Sequence, residues 1–246
     1  MSECTYWANS ELQPAGASLR LFCFPHAGGF SSFFRFWKGL CHPELAILPV
    51  RLPGRETMTQ EPSFTTMSDL LDSLVKLIGK QDDQPFAFFG HSFGGLIAFA
   101  LAHRLVEASA MCPTVVFVSA SRPPNLESRL TERDFFSDSQ PFSNHEFNRT
   151  VKENSEFAEF VLPGIRSDIQ LSKSYRLDHG VRLETPLVVL GGASDHLVQP
   201  VDLIRWQELC RSDCTIHIFK GGHFFVKDFA GEVLSLIRKS LAANQI

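Results

Sequence analysis

The chain has 246 residues, 44% of them apolar and 20% charged, and a net charge of −4. That length supports one large α/β domain with a substantial core. The mild acidity argues against a nucleic-acid footprint, and no run of 18 apolar residues offers a membrane span.

The first residues, Met1-Ser2-Glu3-Cys4-Thr5-Tyr6-Trp7, lack a basic region followed by an apolar stretch. No secretory leader is expected, and the chain reads as cytoplasmic. Leu19-Arg20-Leu21-Phe22-Cys23-Phe24 reads as a short buried strand running into the turn Pro25-His26-Ala27-Gly28-Gly29. Residues 30–40 look helical and aromatic. A second strand over 45–50 ends at Leu52-Pro53-Gly54. Phe64, Met67, Leu70, Leu71, Leu74, Val75 and Ile78 then recur at helical spacing, with Thr66 and Asp69 placed for a capping box. Residues 85–89 form a strand, 96–102 an apolar helix and 114–119 another strand.

After Arg122-Pro123-Pro124 this alternation stops, and residues 125–182 are polar and helical in pattern. It resumes with a strand over 186–192, a helix near 200–210 and a strand over 214–219. A closing helix places Phe225, Phe229, Val233, Leu236, Ile237 and Leu241 on one face. Short apolar strands alternating with helices predict a mostly parallel sheet with helices on both faces. The expected division is a core of residues 1–124 and 183–246 with a helical lid insertion, 125–182, above the carboxyl edge of the strands. That edge is where open α/β sheets bind ligands.

Six cysteines, Cys4, Cys23, Cys41, Cys112, Cys210 and Cys214, are scattered without a Cys-x-x-Cys pair. Buried free thiols are expected, and neither disulfides nor a metal site. The 23 Phe against 2 Tyr favour dry surfaces, because Phe has no polar end to satisfy.

The most informative segment is Gly90-His91-Ser92-Phe93-Gly94-Gly95. A strand precedes it and an apolar helix follows. In that context a Gly-x-Ser-x-Gly match becomes a nucleophile elbow, with the serine hydroxyl pushed out above the sheet. A serine needs a base, and the base needs a group to orient it. The chain order of α/β hydrolases is Ser, then an acid, then His. Asp195, just beyond the strand 186–192, and His223, just beyond 214–219, supply that order. Asp202 is the reserve acid. Among competing histidines, His196 would point elsewhere, His91 is expected on the opposite side of the turn, His26 belongs to the early turn, and His103 is structural. An oxyanion hole would combine the backbone N–H groups of Phe93 and Ala27.

These motifs together resemble the type II thioesterases of the α/β-hydrolase superfamily. Those are free-standing editing enzymes of polyketide and nonribosomal peptide synthases, related to the thioesterase releasing medium chains from animal fatty acid synthase. The matching pieces are Phe24-Pro25-His26-Ala27-Gly28-Gly29, Arg51-Leu52-Pro53-Gly54-Arg55-Glu56, Phe88 to Gly95, Leu162-Pro163-Gly164-Ile165-Arg166-Ser167-Asp168, and Gly221-Gly222-His223-Phe224-Phe225. Departures are small: Ser167 stands where alanine is common, and Phe93 where methionine is frequent. The bulkier Phe93 would narrow the acyl pocket.

The resemblance implies hydrolysis of acyl thioesters on the phosphopantetheine arm of acyl or peptidyl carrier proteins. Ser92 would be the nucleophile, His223 the base and Asp195 the orienting acid, with no cofactor of the enzyme's own. A monomer is expected, with no nucleic-acid or membrane partner. The arginines of the 51–56 segment are expected in structural ion pairs rather than on a phosphate. The insertion resembles the family's lid, with Phe135, Phe136, Phe142, Phe147, Phe157 and Phe160 as lid core or as the lining of a dry acyl channel. Such a channel would reject malonyl in favour of uncharged acyl groups. Gly164 and Pro123-Pro124 would flex at the lid's ends. Arg122, Arg129, Arg133, Lys152, Arg166 and Lys173 are candidate contacts for an acidic carrier protein. Alternatives are medium-chain release from fatty acid synthase, a small-molecule carboxylesterase, and a catalytically dead binding module, which the presence of Ser92, Asp195 and His223 disfavours.

Overall fold

Apolar runs become strands here because both faces of the sheet they form are dry. A computed structural model describes residues 16–40, 42–79, 84–108, 110–126, 131 and 153–244. Strands β1 (Leu19–Phe24), β2 (Leu45–Pro49), β3 (Phe86–His91), β4 (Val116–Ser119) and β5 (Leu187–Gly192) are buried at every position. Strand β6 (Cys214–Phe219) lies at the end of the sheet and is partly exposed. The strands pair in the order β2-β1-β3-β4-β5-β6, all parallel.

Successive side chains leave opposite faces of a strand. Phe22, Phe24, Phe88 and Val118 enter one core cluster, together with α1 (Met67–Ile78), α2 (Phe93–Glu107) and α3 (Ser155–Ser174). Leu21, Cys23, Ala87, Phe89 and Phe117 enter the other. There they meet the 3₁₀ segment Ser31–Trp37 and the last helix of the chain. On α1 the buried set is Met67, Leu70, Leu71, Leu74 and Ile78, the stripe expected from the sequence. Each fully buried leucine there contributes roughly 1.5–3 kcal/mol.

Several elements differ from expectation in detail. Residues 31–37 form 3₁₀ turns rather than an α-helix. The helix near 200–210 is α4 (Pro200–Leu203) followed by a 3₁₀ segment, Ile204–Leu209. The closing helix is interrupted at Phe229 (φ −113°, ψ 34°), giving α5 (Phe225–Asp228) and α6 (Ala230–Ala243). One arm of the α1 capping box forms, with Asp69 N–H donating to Thr66 Oγ1 at 3.2 Å. The Asp69 carboxylate accepts from the Thr66 hydroxyl at 2.6 Å. Cys112 is an exposed free thiol, whereas Cys23 and Cys210 are buried.

The topology selects one crevice. From β1 the chain steps outward to β2, then returns to β3 on the other side of β1 and continues to β6. The strand order thus reverses between β1 and β3, where open α/β sheets bind ligands at their carboxyl ends. The turn after β1 and Ser92 after β3 both open there. Helix α3 is tied to the start of α1: Met67 N–H donates to Ser174 Oγ at 2.9 Å, and the Ser167 hydroxyl to the Phe64 carbonyl at 3.3 Å. Gly164, expected at a lid end, sits in the middle of α3. Phe135, Phe136, Phe142, Phe147, Arg129, Arg133 and Lys152 lie outside the described residues. Among the described residues, no helix is long and apolar enough to cross a membrane.

Candidate active site

Ser92 occupies a strained turn. Its φ of 56° with ψ of −118° falls outside the regions open to an L-residue without cost. The turn is fixed by Ser92 N–H donating to the Ser119 carbonyl at 2.7 Å and Gly95 N–H donating to the Ser92 carbonyl at 2.9 Å. It also needs glycine. A Cβ on Gly90 would strike the Gly94 backbone, and one on Gly94 would strike the Phe24 carbonyl at the end of β1. Side chains at either position would force β1, β3 and α2 apart. Ser92 is 8% exposed and lines a cavity at the carboxyl edge of the sheet.

Asp195 and His223 meet across the ends of β5 and β6. His223 Nδ1 lies 2.8 Å from Asp195 Oδ2, with both side chains buried. A carboxylate can only accept, so Nδ1 carries the proton and Nε2 is left as the basic nitrogen. Asp195 Oδ1 accepts from the N–H groups of Leu197 (2.9 Å) and Val198 (3.1 Å), which fixes the carboxylate. The reserve acid is engaged elsewhere. Asp202 accepts from the Gln199 N–H at 3.3 Å, and its other oxygen faces Arg122 Nη2 at 3.4 Å. His196 is exposed.

His91 departs from its expected place. Its ring lies under the site, 5.3 Å from the His223 ring and stacked on Phe33 at 5.3 Å. Its Nδ1 is 3.0 Å from Ser119 Oγ. His26 completes a row of three imidazoles, 6.4 Å from His91 and packed on Phe33 and Phe224. Burial, reinforced by His223, lowers the His26 pKa to about 3 and holds that of His91 well below the ordinary value. Both rings are therefore neutral at pH 7, and neither places a fixed positive charge against His223.

The turn after β1 is held from outside. Gly28 (φ +69°) donates its N–H to Asp168 Oδ2 at 2.7 Å, and Gly29 N–H donates to the His26 carbonyl at 2.8 Å. Arg55 reaches Asp168 through two bonds, Nη1 to Oδ2 at 2.8 Å and Nη2 to Oδ1 at 2.6 Å. Arg55 Nη1 also donates to the Gly29 carbonyl at 3.3 Å. Burial opposes the Arg55 charge, but the Asp168 carboxylate outweighs it and holds the pKa above the usual arginine value. The neighbouring Glu56 accepts from Ser31 N–H (2.7 Å) and the Ser31 hydroxyl (2.5 Å). Sequence reasoning anticipated an ion pair for Arg55 but did not name Asp168 or connect either to the turn. The signal available was the motif pair at 51–56 and 162–168, which carries no spatial information by itself.

Ser92 and His223 border one cavity of about 1030 Å³. Its lining includes Arg122, Lys173, Tyr175, Arg176 and Arg182. Burial, then Glu107 and Asp178, pushes the Tyr175 pKa up to about 12. Among the described residues, Phe93 lines this cavity and Phe157 and Phe160 do not. Phe160 instead lies 6.0 Å from Phe30 and is half exposed. Among the described residues, no group of three or more His, Cys, Asp or Glu is arranged to hold a metal ion.

A hydroxyl at the end of β3, an imidazole at the end of β6 and an orienting carboxylate after β5 are the parts needed for acyl transfer through a serine ester. Comparison with known proteins shows the family. The model of the thioesterase domain family matches residues 19–241. The chain is 29% identical to the gramicidin S biosynthesis protein GrsT of Aneurinibacillus migulanus, over 98% of this chain and 96% of that protein. It is 34% identical to the medium-chain S-acyl fatty acid synthase thioesterase of Homo sapiens, covering 94% of this chain and 90% of the human one. Among solved structures, the type II thioesterase BorB from the borrelidin biosynthetic cluster superposes with a TM-score of 0.80 at 27% identity, over 96% of this chain and 98% of BorB. With its parallel sheet, its strained serine turn and a family match spanning nearly its whole length, the chain belongs to the thioesterase domain family.

Proposed function

We propose that this protein is a type II editing thioesterase. It hydrolyses acyl thioesters from the phosphopantetheine arm of carrier proteins in a polyketide or nonribosomal peptide synthase. Ser92 attacks the thioester carbonyl while His223 Nε2 takes its proton. Asp195 holds the imidazole in the required tautomer and stabilises the imidazolium that forms. The Ala27 and Phe93 N–H groups receive the oxyanion. His223 then protonates the departing thiol, and water releases the acyl group by the same route. The observation carrying the reading is the conjunction of the strained Ser92 turn with the 2.8 Å His223–Asp195 contact beside one cavity. The biosynthetic associations of GrsT and BorB favour the editing role.

The test is incubation with a panel of acyl-loaded carrier proteins, followed by intact mass, with Ser92→Ala as the control. Loss of the acyl mass from short or aberrant acyl carriers, abolished in Ser92→Ala, is the expected result. Cleavage of simple esters with all carrier thioesters left intact would overturn it. The 34% identity to the human medium-chain enzyme supports a second reading, chain release from a fatty acid synthase. Activity confined to medium-length saturated chains in the same panel would favour that one.

A further inference from the structure

We infer that the Arg55–Asp168 pair is a positioning device for the Ala27 oxyanion donor, and that it makes α3 of the insertion part of the catalytic apparatus. The inference rests on the proposed thioesterase mechanism. The pair joins three stretches of chain that are remote in sequence: the turn at 26–31, the segment at 55–56 and α3. Asp168 is fully buried and Arg55 is 5% exposed.

A buried ion pair is weak evidence for a role in stability. Removing both charges from water costs several kcal/mol per ion, and an apolar pair of similar volume often does as well. What an apolar pair could not do is bond the turn. The Asp168 carboxylate accepts the Gly28 N–H, fixing the peptide plane that follows Ala27. The Arg55 guanidinium binds the carbonyl of Gly29. Glu56 holds Ser31, so the turn is gripped at residues 28, 29 and 31 from outside itself. Ala27 lies immediately before the first grip, and its N–H direction follows from the orientation of the planes beside it. Ile165, one turn before Asp168 on α3, occupies the space where a Cβ on Gly28 would stand. The same helix therefore supplies both the bond and the steric stop.

Mechanistically, an oxyanion donor acts on charge that develops in the transition state, so misplacing it lowers kcat with little effect on substrate binding. The test compares Asp168→Ala, Arg55→Lys and the double variant Arg55→Met/Asp168→Leu, which restores an apolar filling. Each is assayed for thermal stability, kcat, KM and affinity for a trifluoromethyl ketone analogue of the acyl thioester, which forms a tetrahedral adduct on Ser92. All three variants should lose roughly 10–10³-fold in kcat, with KM nearly unchanged and ketone affinity falling in parallel. The double variant should keep these losses even where its melting temperature matches that of the unaltered protein. A folded double variant with kcat and ketone affinity within about threefold of the unaltered protein would overturn the inference and leave the thioesterase mechanism standing. Absence of Ser92-dependent thioesterase activity in the unaltered protein would instead remove the mechanism, and the inference with it.

Discussion

The two halves of the proposed site are built differently. The acid–base half consists of Asp195 and His223, each a few residues past the end of its strand. They meet in one mutual contact, two N–H groups of the Asp195 turn fix the carboxylate, and the His223 ring packs beside His91. The oxyanion half is a turn after β1 that borrows its shape from residues 55, 56 and 168. Reactive side chains can be aimed by the strand ends that carry them. A backbone N–H has no side chain to aim, so its direction must be set by bonds to its neighbours. The first half is therefore set mainly at strand ends, while the second depends on pairing with residues 55, 56 and 168.

Substitutions can break this contrast, beginning with the largest effect. Ser92→Ala should lower kcat by about 10⁶ if the triad acts as a unit, measured as acyl-carrier turnover. Next, Asp195→Asn should fold normally and lose roughly 10⁴, because it no longer enforces the Nδ1–H tautomer. Asp202→Asn, whose partner is Arg122, should retain most activity. The opposite ranking would move the orienting role to Asp202.

A smaller effect comes from the imidazole row. The folded pKa of His26 is about 3 and that of His91 is also depressed, against an ordinary value of 6.5. Between these limits the unfolded chain binds more protons than the folded one. Stability is thus full above about pH 6.5 and is lost as pH falls below it. The wholly buried His91 adds to the loss in the same direction. His26→Phe keeps ring contacts with Phe33 and Phe224 and removes one titrating group. Its melting temperature should fall less steeply from pH 6.5 to 4.5, and an unchanged slope would exclude His26 as a contributor. Smallest of all, Thr66→Ala removes the α1 cap and should cost about 1 kcal/mol in denaturant unfolding without touching kcat.

The meeting of Asp195 with His223 was legible in the sequence because both stand at strand ends. Ser92, Asp195 and His223 each follow an apolar run that could only be a buried strand, and parallel strands bring their carboxyl ends to one edge. The turn after β1 was legible as a turn, but the residues that hold it were not. Nothing in Arg55 or Asp168 taken separately distinguishes a surface charge from a buried one, and their pairing spans 113 positions. His91 was misplaced for a related reason. Alternation along β3 gives its face, but the depth of the layer below it depends on Phe33 and Phe224 from two other segments. The break at Phe229 was hidden because the apolar stripe continues across it.

The cavity beside Ser92 has a consequence for selectivity. At about 1030 Å³, it is at the upper end of the range for small-molecule sites. Even a close-fitting apolar wall separates neighbouring acyl chains by only about 1–3 kcal/mol per methylene. A roomy wall bearing several cations forgoes part of that. If it edits as proposed, such a site would discriminate by time rather than by fit: an acyl group that the synthase consumes quickly would be gone before the hydrolase meets it. One that stalls on its carrier would wait long enough to be removed.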